Sequence, residues 1–180
     1  MTAWSKDVLH YWFDHLGPKH WYNSAPEIDE EISGRFKPLW ESLRSEAPIF
    51  FIASAREALG AIILFDQFPR NMFRHEAGAF ATDALSLDIA KLGLEAGFDS
   101  QLDHSERQFL YMPYMHSESL ADQDMSVELF DRLDHADALQ FAILHRDMIV
   151  RFGRFPHRNE ILGRETSPKE VDAIAEGQNW

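Results

Sequence analysis

The residues of this chain best suited to chemistry are basic and crowd towards its C-terminal end. Arg146, Arg151, Arg154, Arg158 and Arg164 fall between positions 146 and 164, joined by His157 and opposed only by Asp147 and Glu160. Guanidinium forks match carboxylate and phosphate groups bidentately. Such a stretch predicts either a small anion bound from outside or the chain's own carboxylates bound from within. Gly153 and Pro156 fix an irregular backbone, the kind of loop on which binding residues are held. An earlier run is echoed here, since Phe68-Pro69-Arg70-Asn71 returns as Phe155-Pro156-His157-Arg158-Asn159. The two Phe-Pro turns are expected to present Arg70 and Arg158 to one region, with Gln67, Arg146, Arg154 and His157 as further ligand contacts.

Three residues are candidates for acid–base work. His145 lies on an apolar helical stripe between Ala142 and Ile149, and His116 follows a helix rich in aromatics. Either histidine can exchange a proton near neutral pH. Asp66 is the candidate acid. Each has a structural counterpart: His145 as a core residue bonded to one partner, Asp66 as a buried bridge to Arg70. Asp83 reads as a helix cap, and Asp122 as the partner of Ser119 in a capping box. Asp66, Asp83, Glu118 and Asp122 are also available as internal partners for the arginines.

No metal or cofactor is expected. His116, His145 and an acid do not have His-Glu-x-x-His spacing. The pairs Asp14-His15, Asp103-His104 and Asp134-His135 reverse the His-Asp order of helical metal-dependent phosphohydrolases. A Gly-rich phosphate loop and a Gly-x-Ser-x-Gly elbow are both missing, so neither phosphoryl nor acyl transfer is indicated by motif. The expected partner is a small anionic molecule or a peptide carboxylate. The residues do not decide between a binder and an enzyme, and the oligomeric state is not legible.

The 180 residues carry a net charge of −13, which opposes binding to polyanionic nucleic acid or membrane surfaces. With 45% hydrophobic residues the composition is globular, and with Cys 0 it offers no thiolate chemistry. No signal peptide or membrane span is read, so a cytoplasmic protein is expected.

The elements that must position these groups read as helices. Val8, Leu9, Trp12, Phe13 and Leu16 repeat at helical spacing up to Gly17-Pro18. Capping signals follow at Ser24, Ser54, Asp103, Ser119 and Ser167, each with an acid three residues on. The run from Ala58 to Phe68 is apolar nearly all round and so central, with Pro69 expected to close it. Pro38 is expected to kink its helix and Pro113 to interrupt another. Thr82-Asp83 starts a helix that Gly97 ends. Met125, Leu129, Phe130 and Leu133 are expected to face inward, as are Ala138, Phe141, Ala142, His145, Ile149 and Phe152. The whole predicts one all-α domain over residues 1–180, of about eight helices.

Several of these runs also carry a resemblance. Leu64-Phe65-Asp66-Gln67-Phe68-Pro69-Arg70-Asn71, Ala79-Phe80-Ala81-Thr82-Asp83 and Phe109 to Glu118 come in order, followed by His145-Arg146-Asp147 and Arg151 to Asn159. Together with Tyr11-Trp12-Phe13 they resemble a bacterial family of unknown function, number nine hundred and twenty-four of the domain-of-unknown-function series. The resemblance implies an all-helical, tetratricopeptide-like stack of helix hairpins. It implies no activity, cofactor or catalytic residue. A scaffold that holds a peptide or protein segment is the alternative function, by analogy with that fold.

Overall fold

Helical capping and apolar spacing are realised as rods rather than strands. The computed structural model describes residues 1–22 and 25–175, so the cap proposed at Ser24 and the terminal Trp180 lie outside the described residues. Among those described there is no strand, and the helical segments join into eight rods. No helix among them is long and apolar enough to cross a membrane. The chain forms two compact units: one holds residues 1–74 and 78–113, the other 75–77 and 114–180.

In the first unit, α1 (Ala3–Leu9) runs directly into a π-helical turn, His10–Leu16, which ends at the left-handed Gly17. Helix α2 (Pro26–Leu43) has Ala25 in the cap position and Pro26 in its first turn. It buries Ile28, Ile32, Phe36 and Trp40 and continues through Pro38. The central rod starts at Ser54, whose Oγ accepts from Glu57 N at 3.2 Å. It comprises α3 (Ala55–Ile62), a π-helical turn (Ile63–Gln67) and α4 (Phe68–Met72), so Pro69 does not close it.

The reason lies in hydrogen bonding. Pro69 has no N–H to give the carbonyl four residues back, that of Phe65. Thr82 Oγ1 donates to Phe65 O instead, at 2.6 Å, and itself accepts from Trp40 Nε1 at 3.1 Å. The side chain of Thr82 is therefore not a cap for α5 (Asp83–Glu95). Gly97 ends α5 in the left-handed conformation, as its position predicts. Around the rod, Tyr11, Phe36 and Trp12 all place their rings against Phe68.

Helix α1 crosses α3 at Gly60, where a Cβ would lie 3.0 Å from Ser5 Cβ and 3.3 Å from Ser5 Cα. Gly60→Ala is expected to destabilise by ~1–3 kcal/mol through overpacking. Gly34→Ala, on α2 with open space around it, should stabilise by ~0.5–1 kcal/mol through helix propensity. Urea unfolding of the two variants should give opposite shifts in midpoint.

The second unit begins in the last turn of α6 (His104–Met115), which passes through Pro113 without interruption. Its start is the capping box predicted at Asp103: Glu106 N donates to Asp103 Oδ1 at 2.9 Å and Asp103 N to Glu106 Oε2 at 3.2 Å. Its end is capped by the buried Gln123, whose Nε2 donates to the carbonyls of Tyr114, Met115 and Ser117. Helix α7 (Leu120–Arg132) departs from expectation at its start. Ser119 makes no side-chain cap, and Asp122 accepts from Ser117 Oγ at 2.8 Å. Helix α8 (Ala136–Phe152) packs on α7 as a hairpin through a turn with Asp134 at positive φ. Met125 and Phe141, expected inside, are 39% and 50% exposed, because each lies off the buried stripe of its helix. Leu129, Phe130, Leu133, Ala138, Ala142, His145 and Ile149 are buried as predicted. After Gly153 a 3-10 turn, Pro156–Arg158, leads on to α9 (Pro168–Ala175). Ala173 of α9 packs with Met148, Ile149 and Phe155 in an apolar cluster.

Candidate functional site

In the first unit, the π-helical turn aims Asp66 and Gln67 inward. Asp66 is fully buried; Gln67 Nε2 donates to its carboxylate, and Arg70 Nη1 lies 3.4 Å from Oδ1. Arg70 also forks onto Asp83, with Nη1 and Nη2 at 3.0 and 3.2 Å from the two oxygens. Burial alone would lower the pKa of the guanidinium; Asp66 and Asp83 outweigh it and hold it above its ordinary value. Asp83 thus serves Arg70 from the first residue of α5. One residue on, Asn71 Nδ2 donates to Asp29 Oδ1 at 2.8 Å, and Arg74 forks onto the same carboxylate.

The second Phe-Pro turn repeats that arrangement with different spacing. Asn159 Nδ2 donates to Glu170 Oε1 at 3.2 Å, and Arg154 forks onto Glu170 at 2.7 and 3.0 Å. Ser167 N donates to Glu170 Oε2 at 2.7 Å, the back half of the predicted box. The Arg154 guanidinium first, and then these other donors, hold the Glu170 carboxyl well below the usual carboxylate range. In both units an asparagine and an arginine together fix one acid in the first turns of a helix that opens with proline. The echo in sequence is in part a repeated device for docking a helix end.

The remaining arginines separate clearly. Arg146 makes an exposed pair with Asp124, Nε to Oδ1 at 2.5 Å. Arg151 lies over the Phe152 ring. Arg164 forks onto Glu118 at 2.8 and 3.1 Å and donates to Phe155 O, while Phe155 N donates to Glu118 Oε1 at 2.8 Å. Burial would raise the Glu118 carboxyl; Arg164, the Phe155 N–H and Arg158 outweigh it and hold it low.

Arg158 is only 7% exposed. Its guanidinium carbon stands 4.6 Å from the Phe155 ring centroid, and Nη2 donates to His116 O at 3.1 Å. The same ring meets His145 edge-on at 5.5 Å and His157 at 5.7 Å, and the rings of His116 and His145 are 6.4 Å apart. His145, His157 and Arg158 are therefore brought together around one phenyl ring, and the His116 ring lies beside that of His145.

His145 Nδ1 lies 2.8 Å from Phe141 O. A carbonyl only accepts, so Nδ1 carries the proton and Nε2 is the acceptor of a neutral ring. Burial pushes the imidazole down to about 2, and His116, Arg158 and His157 add to it against the bond to Phe141. A shallow depression of about 390 Å³, lined by Arg151, Phe152, Lys169 and Asp172, includes none of these four residues.

Sequence reasoning missed Glu170, Asn159, Asp29 and Asn71 as partners. Arg154 and Glu170 are 16 residues apart and Asn71 and Asp29 are 42 apart, so no helical spacing links them. The only signal was the repeated Asn after each Phe-Pro. Among the described residues no group of three or more His, Cys, Asp or Glu side chains is placed to hold a metal ion.

Among solved structures, the chain is similar to a protein of unknown function from Agrobacterium tumefaciens. The two are 34% identical with a TM-score of 0.90, over 96% of this chain and 97% of the other. No curated protein matches. Residues 8–178 match the family described as bacterial protein of unknown function, DUF924. The chain belongs to that family.

Proposed function

We propose that the protein is a cytoplasmic binder of a small anionic molecule, held through a carboxylate or phosphate at His116, His145, His157 and Arg158. The observation that carries this reading is the convergence of His145, His157 and Arg158 on the Phe155 ring, with His116 beside His145. Arg158 supplies the permanent charge, and a neutral His145 supplies Nε2 as an acceptor for a ligand hydroxyl or ammonium. If a proton is moved, His145 Nε2 is the atom that takes it. Arg154 belongs to Glu170 in this reading, and Arg70 with Gln67 to Asp66 and Asp83, as supports rather than ligand contacts.

Thermal unfolding with ~10 mM phosphate or citrate, against chloride of equal ionic strength, tests it by mass action. The parent should melt several degrees higher with at least one of the two anions. Arg158→Gln should lose that gain, whereas Arg146→Gln should keep it. If neither anion shifts the parent, or if Arg158→Gln responds like the parent, the reading is wrong.

A further inference from the structure

The segment that carries Phe155, His157 and Arg158 has the construction of a strap. It is bounded by two glycines at positive φ, Gly153 at 69° and Gly163 at 65°, a conformation that costs glycine little and other residues more. Between them Phe155, Pro156, Arg158 and Asn159 are buried, and the segment is tied to its surroundings by one backbone and several side-chain hydrogen bonds. Glu118, on the link between α6 and α7, accepts from Phe155 N. Glu170, on α9, accepts from Asn159 Nδ2 and from Arg154. Arg158 reaches back to His116 O. On the strap's inner side, Phe155 is fully buried with its ring against His145, itself 6% exposed.

We infer that residues 154–162 are a proton-released strap over the His145 cluster, which opens as the pH falls from 7 to 5 and so regulates access to the anion site. The inference rests on the proposed function only for what the strap covers; the opening itself needs no ligand. The physical cause is that a closed strap keeps His145 dry. On the strap side His145 faces Arg158 and His157, and from the α6–α7 link it faces His116. None of these favours a second positive charge. The acids on the other packed elements are Asp122 of α7, which accepts from Ser117 Oγ, Asp124 of α7, paired with Arg146, Glu170 of α9, paired with Arg154, and Glu118, which lies under the charges of both Arg164 and Arg158. With the strap lifted, His145 loses Phe155 and Arg158 as neighbours and regains water.

The sign follows directly. The folded pKa of His145 is depressed to about 2, against an ordinary value near ~6.5. The open form therefore binds the proton first. Each pH unit below ~6.5 favours opening about tenfold. Glu118 and Glu170 are held low when closed, so their latches fail only below the ordinary carboxylate range, at more acid pH than His145. Between pH 7 and 5 these two carboxylates therefore add no slope of their own.

Hydrogen exchange of the full chain, read by mass spectrometry and corrected for the intrinsic pH dependence of exchange, is the test. Protection of peptides spanning 154–162 should fall about tenfold per unit between pH ~6.5 and 5, while α3 in the other unit stays flat. His145→Leu should remove that slope. Glu118→Gln, which loosens a latch without touching the histidine, should lower protection at every pH and keep the slope, so the test survives if His145→Leu fails to fold. A strap whose protection is flat to pH 5, or falls in step with α3, or keeps its slope in His145→Leu, overturns the inference. Failure of the anion screen alone would leave these exchange results intact and would remove only the ligand.

Discussion

Replacing Arg70 with alanine is expected to lower the unfolding free energy by ~3–5 kcal/mol, the cost of leaving a buried carboxylate unpaired. Asp66 has no exposure to water, and the Arg70 guanidinium is 3.4 Å from its oxygen while also forking onto Asp83. Truncation removes the guanidinium from two acids at once. For a chain of this length the melting temperature should drop by about 10 °C. Asp66→Asn in the Arg70→Ala background should recover part of the loss, since an amide needs no counter-charge. Arg132→Ala is the contrast. Its i,i+4 pair with Glu128 has both side chains more than half exposed, so the cost should stay under ~0.5 kcal/mol. A loss below ~1 kcal/mol for Arg70→Ala would mean that buried-pair energetics do not apply, and that Arg70 faces a ligand after all.

That contrast bears on how far the arginine stretch could be read from sequence. Its excess of positive charge was legible, because Asp147 and Glu160 cannot neutralise five arginines. What was not legible is that the missing acids come from distant elements. Glu118 reaches Arg164 across 46 residues and Glu170 reaches Arg154 across 16. Local pattern reports charge and periodicity, while pairing of this kind is decided by tertiary packing. His145 was legible as a residue of a buried stripe, since its neighbours Ala142 and Ile149 set the face. Its assembly with His157 and Arg158 around Phe155 depends on where the loop after Gly153 returns, which no periodicity encodes.

The helices divide in the same way. Capping boxes such as Asp103–Glu106 are local, so they were legible and the structure has them. Pro69 and Pro113 were misread because a proline breaks a helix only when nothing compensates for its missing N–H. At Pro69 the compensation arrives from Thr82, 13 residues on, and from the π-helical turn that precedes it. The exposure of Phe141 has a simpler origin. An apolar residue at the margin of a stripe is placed in or out by its neighbours in space, and single exposed apolar side chains are ordinary.

The chain from Trp40 through Thr82 to Phe65 supplies the second large effect. Thr82→Val keeps the shape of the side chain and removes its hydroxyl. Trp40 Nε1 then loses its acceptor and Phe65 O loses a donor, both in the core of the first unit. Buried polar groups left unsatisfied cost ~1–3 kcal/mol each, so the variant is expected to lose ~2–4 kcal/mol despite its gain in apolar character. The cause can be separated from packing by a double-mutant cycle with Pro69→Ala. Alanine at 69 brings back an N–H four residues after Phe65, so the carbonyl no longer depends on Thr82. In that background Thr82→Val should cost about 1 kcal/mol less than it does in the parent, a coupling within the range for groups that share a partner. Urea unfolding of the four proteins measures it. Additive losses would show that the carbonyl freed by Pro69 does not need Thr82, and that the central rod bends through its proline for some other reason. A positive coupling of the expected size would locate the tolerance for proline in one hydroxyl, supplied from outside the rod.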